Sequence, residues 1–158
     1  MTLSPEDILI LSLSRFNPRV LKKTLLASSR MNWPYFLKES HAHGVSPLIY
    51  HNMSALGLLS LLPGNIQAKL RKDYYRTSAL NLLFSRALKE ILGKMSQKKI
   101  PIIPLKGCLF MHTLYPSIAL RPMIDLDFLV KEKDFDRASR TLNAVSYTHL
   151  TLPTNREV

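Results

Sequence analysis

The sequence predicts an α+β protein: a helical N-terminal region followed by a small sheet with flanking helices. Three observations carry this. A 3.6-residue apolar stripe runs through 66–98 in Leu70, Tyr74, Thr77, Asn81, Phe84, Leu88, Ile91, Leu92 and Met95. The periodicity then breaks, and Ile100-Pro101-Ile102-Ile103-Pro104-Leu105 reads as extended chain. Further on, Ile124-Asp125-Leu126-Asp127-Phe128-Leu129-Val130 alternates with the period of a strand.

Each element has a local reason. Ser4 can cap a first helix, Pro5 suits its first turn, and Glu6 and Asp7 suit its positive end. Asn17-Pro18 breaks that helix, and a short one is expected over 19–28. Asn32 caps a helix beginning at Trp33-Pro34, which His43-Gly44 ends through a glycine stop. Ser46-Pro47 opens a further helix toward Met53, and Leu62-Pro63-Gly64-Asn65 reads as a turn. After the long stripe, Pro101 and Pro104 confine the strand at 101–105 to a sheet edge or strand end. Lys106-Gly107 reads as a turn and 108–114 as a helix. Residues 118–123 form a loop carrying Arg121, and 124–130 form the second strand, adjacent to the first. A last helix starts at Lys131-Glu132-Lys133-Asp134 and runs through Leu142.

Composition bounds the function. The chain has 158 residues, 46% of them hydrophobic, so a packed core is expected rather than disorder. No apolar run reaches the roughly 20 residues of a membrane span. The start of the chain contains Glu6 and Asp7 and lacks a basic beginning, unlike a signal peptide. A single Cys108 rules out an internal disulfide and suits a reducing cytoplasmic setting. The net charge is +11. From Tyr74 to Ile124 the only acid is Glu90, against Arg76, Arg86, Lys89, Lys94, Lys98, Lys99, Lys106 and Arg121. Nucleic acid, nucleotide triphosphate and acidic proteins all fit such a field, as does a solvated basic surface.

The chemistry gathers at the second strand. Alternation puts Ile124, Leu126 and Phe128 on one face and Asp125 and Asp127 on the other. Two adjacent carboxylates repel unless a cation sits between them. Mg²⁺ or Mn²⁺ takes such oxygens and bridges them to phosphates. Gly107 would let the backbone approach those phosphates. Lys106 and Arg121 are either phosphate contacts or ordinary surface charge. The competing reading is an edge strand with two solvated aspartates, although Asp is depleted in strands. Cys108 has no His at a spacing that suggests a nucleophile pair, and His41 and His43 are poorly spaced for one helical metal site.

Leu105-Lys106-Gly107, Leu114-Tyr115-Pro116 and the run from Arg121 to Val130 resemble the uncharacterised nucleotidyltransferase family of the polymerase-beta-like superfamily. Asn32-Trp33, the run from His43 to Tyr50 and Leu62-Pro63 resemble that family's helical N-terminal region. The resemblance covers roughly 5–144. It departs from the superfamily pattern at Cys108, where Ser or Gly usually follows the glycine. It implies a helical region over 1–98 and a partial nucleotidyltransferase core over 99–144, with a mixed sheet. It also implies metal-dependent transfer of a nucleoside monophosphate from a nucleotide triphosphate to a hydroxyl acceptor. Asp125 and Asp127 would hold the metal and serve catalysis, with Lys106, Gly107 and Arg121 on the phosphates. The acceptor is open among a small molecule, a protein and an RNA end.

The resemblance further implies a third ligand on a later strand. After Asp127 the acids are Glu132, Asp134 and Asp136 on the adjoining helix and Glu157 near the end. Residues 145–154, Val-Ser-Tyr-Thr-His-Leu-Thr-Leu-Pro-Thr, resemble translated sequencing-adapter DNA. Residues 145–158 are therefore set aside as a non-native tail, and this chain is expected to be a truncated, inactive fragment. Two other readings stand beside the enzyme: a non-catalytic helical interaction module, and a degenerate nucleotidyltransferase that binds nucleotide without turnover.

Overall fold

The computed structural model describes residues 3–15 and 31–143. The helix expected over 19–28 and the segment 145–158 lie outside them. The described residues form an α+β fold, as the sequence predicts. In chain order they are α1 (Pro5–Leu13), α2 (Trp33–Ala42), α3 (Ser46–Ala55), α4 (Gly64–Gln97), β1 (Ile102–Pro104), α5 (Lys106–Thr113), β2 (Phe128–Val130) and α6 (Phe135–Asn143). Short 3₁₀ turns occupy Leu59–Leu61, Ile118–Leu120 and Glu132–Asp134.

The helix ends follow from the capping residues. The Ser4 hydroxyl accepts the Asp7 N–H, and the Asp7 carboxylate accepts the Ser4 N–H in return. The Asn32 side chain accepts the Tyr35 N–H at the start of α2. At its end Gly44 adopts φ +64, and Val45 N–H and Gly44 N–H bond back to the carbonyls of Ser40 and His41. Gly64 and Asn65, expected in a turn, are instead the first residues of α4. Pro63 stands just before the first turn, where a missing N–H costs nothing.

Two apolar clusters share α4. Leu9, Leu13, Phe36, Ile49 and Met53 from α1–α3 pack with Ile66 and Leu70 near its start. Ile91 and Met95 near its end pack with Ile100 and Ala138, and with Ile102, Leu126, Phe128 and Val130. At 34 residues, α4 spans about 50 Å.

Among the described residues the sheet is one antiparallel pair, Ile102 opposite Val130, Ile103 opposite Leu129 and Pro104 opposite Phe128. It is shorter than the 101–105 and 124–130 expected. β1 ends at Pro104 and α5 begins at Lys106, so residues 124–126 have no strand to pair with. One bond prolongs the ladder, from Leu105 N–H to the Asp127 carbonyl at 2.9 Å. The expected alternation holds for Leu126 and Phe128 but fails at Ile124, which is 91% exposed. Met123 is buried instead, so the chain has turned before it enters the ladder. Among the described residues, no helix is long and apolar enough to cross a membrane.

Candidate functional site

The β1–α5 junction turns more sharply than the sequence suggests. Lys106 is the first residue of α5 and carries φ +46, a left-handed conformation that costs a side-chain-bearing residue about 1–2 kcal/mol. Lys106 makes the turn, and Gly107 sits in the first helical turn without a positive φ. Gly107 permits a close approach: a Cβ there would lie 3.1 Å from Met123 Sδ and 3.8 Å from Arg121 Nε.

The Lys106 ammonium lies 3.0 Å from Asp127 Oδ2. The hydrogen bond and charge of Asp127, with a smaller contribution from the charge of Asp125, hold its pKa above the usual lysine value. Both carboxylates thus act on one cation, although they lie ahead of the regular strand rather than on it.

Lys106, Gly107, Arg121, Asp125 and Asp127 all line one shallow cleft of about 190 Å³, completed by Pro122, Met123 and Ile124. The five site residues named from sequence are brought together. Two further features were not legible. Ile124 lies at the cleft as an exposed apolar residue, because the alternation assigned it to the core. The Arg121 Nε is buried with no hydrogen-bond partner among the described residues. Its guanidinium carbon sits 5.9 Å from the centre of the Tyr115 ring, and Nη1 lies 3.5 Å from the Tyr115 hydroxyl.

Other candidates resolve as structural. The Cys108 sulfur is buried, 2.8 Å from the Leu105 carbonyl oxygen and 3.1 Å from that of Asp127. His41 contacts Asp73, tying α2 to α4, and His43 faces Glu39 at 3.8 Å. Among the described residues, no three His, Cys, Asp or Glu side chains are grouped to hold a metal ion.

The donor set nevertheless suits a divalent cation in part. Asp125 and Asp127 offer hard oxygens, and Asp127 already takes a cation in the form of the Lys106 ammonium.

The scaffold and cleft together define a class of site: two carboxylates, a lysine and an arginine lining one cleft at a strand–helix junction. Residues 29–157 match a protein family described as uncharacterised nucleotidyltransferase, and the chain belongs to that family. The match includes most of the segment set aside above as adapter-like. Neither a curated protein nor a solved structure matches the chain.

Proposed function

We propose that this chain binds a nucleotide triphosphate together with Mg²⁺ or Mn²⁺, as part of a cytoplasmic enzyme that transfers the nucleoside monophosphate to a hydroxyl acceptor. The observation that carries the reading is the convergence of Lys106, Gly107, Arg121, Asp125 and Asp127 on one cleft. Asp125 and Asp127 would hold the cation, which when bound would offset phosphate charge and activate an acceptor oxygen. Lys106 and Arg121 face the phosphate oxygens, since charge that develops there needs fixed cations. Gly107 lines the cleft in the first turn of α5, whose backbone N–H groups would meet the phosphates.

One observation favours an interaction module instead. Tyr75, Leu82 and Leu83 are exposed apolar residues on α4, at 61%, 47% and 58%. A titration separates the two readings. Calorimetry with Mn²⁺ and each of ATP, GTP, CTP and UTP should show metal-dependent nucleotide binding that weakens at least tenfold in Asp125→Asn and in Asp127→Asn. Binding that ignores both substitutions, or no nucleotide binding at all, sinks the enzyme reading. Pyrophosphate release then separates a transferase from a protein that only holds nucleotide.

A further inference from the structure

The long helix reaches the cleft through one side chain. Asn81, midway along α4, is 0% exposed. Its amide nitrogen donates to the Ile118 carbonyl at 2.5 Å and to the Arg121 carbonyl at 2.7 Å. Those two carbonyls bracket the 3₁₀ turn at Ile118–Leu120, so both protons of one amide clamp both ends of one turn. Packing alone would be served as well by Leu, which brings no polar group into the core. What the amide adds is control of the backbone, and the second carbonyl belongs to a residue that lines the cleft.

Arg121 depends on that control. Among the described residues its guanidinium has no carboxylate partner, its Nε is unpaired, and its contact with Tyr115 is long. Its tip rests on Tyr115, and its direction is set as well where the side chain leaves the backbone. The same placement keeps its Nε close above Gly107.

We infer that Asn81 is a positioning residue that acts through Arg121, holding the 118–121 backbone so that the guanidinium meets the phosphates of a bound triphosphate. The inference rests on the proposed nucleotide site and adds to it a residue of the helical region, 40 positions upstream of the one it serves.

A double-mutant cycle tests it, using the full chain with Mg²⁺ and whichever of ATP, GTP, CTP and UTP binds tightest. Asn81→Leu should weaken binding about tenfold, as should Arg121→Met. In the Arg121→Met background, Asn81→Leu should add less than about twofold, because the group it positions is gone. Thermal unfolding of each variant accompanies the titrations. If Asn81→Leu does not fold, Asn81→Ser, which is polar but too short to span both carbonyls, enters the same cycle. Effects that multiply independently would show Asn81 to be a structural residue only, and would overturn the inference. Weakening by Arg121→Met without any effect of Asn81 would also overturn it, while leaving the nucleotide site intact. If Arg121→Met and Asp127→Asn both leave binding unchanged, the nucleotide site itself is wrong and the inference falls with it.

Discussion

Lys106 holds two demands in one side chain. Its backbone makes the left-handed turn between β1 and α5, and its ammonium satisfies Asp127. A cation at the start of a helix is unfavourable, because the positive end of the helix dipole is there. The Asp127 carboxylate offsets that, and Asp125 adds to it. On the proposed nucleotide site, Lys106 would compete with a metal ion for Asp127 in the absence of nucleotide and would turn to phosphate in its presence. Lys106→Gln is expected to shift the two affinities in opposite directions. Mn²⁺ alone, followed by electron paramagnetic resonance, should bind several-fold tighter, while a Mn²⁺–nucleotide complex should bind about tenfold weaker. Parallel loss of both would mean that the substitution damages the turn and that the competition does not exist.

At the scale of elements, α1 and α2 are joined by carboxylates. The Asn32 N–H donates to Glu6 Oε1 at 2.6 Å, and the Tyr35 hydroxyl donates to Asp7 Oδ1 at 3.1 Å. The bond from Asn32 holds the Glu6 pKa below its ordinary 4.5, and the Ser4 hydroxyl lowers that of Asp7. Both carboxyls are depressed in the folded state. Their contribution is present above the ordinary value and is lost as pH falls through the depressed one. Glu6→Gln keeps an acceptor for Asn32 but removes the charge, so it should cost about 1 kcal/mol near neutral pH. The gap between wild type and Glu6→Gln should close as pH drops below 4.5. Urea unfolding across that range measures it, and a gap that stays constant with pH would refute the assignment.

The whole molecule depends on α4 as a shared spine. Its first half completes the cluster with α1–α3, its last turns complete the cluster with the sheet and α6, and its middle holds the Arg121 loop. The two clusters have no other long element in common among the described residues. A break in the middle of α4 should therefore act on the molecule rather than on one site. Ala79 is exposed, so substitutions there test the backbone alone. Ala79→Gly should cost about 1 kcal/mol, and Ala79→Pro about 3 kcal/mol or more. Thermal unfolding by circular dichroism should show one transition for Ala79→Gly and two for Ala79→Pro. A single unshifted transition in Ala79→Pro would mean that the clusters do not rely on the spine.

Much of this was legible from local sequence, because capping, periodicity and alternation act within a few residues. Ser4, Asn32 and Gly44 mark helix ends, the stripe through Leu70, Asn81 and Met95 marks the buried side of α4, and Asp125 with Asp127 marks the cleft. The same reasoning made the strands too long and placed Ile124 in the core, for one physical reason. Strand pairing needs a partner of equal length, and β1 is cut short by Pro104 and by the start of α5 at Lys106. The close approach of Met123 to Gly107, 3.1 Å from where a Cβ would stand, comes from a residue distant in the sequence. Asn81 read as one more member of an apolar stripe, and only the packed fold shows its amide holding carbonyls some 40 residues away. The sequence alone determined the kinds and order of the described helices and strands and the candidate residues of the cleft. Tertiary structure decided which of them meet, because contacts across long separations are set by packing and not by local preference.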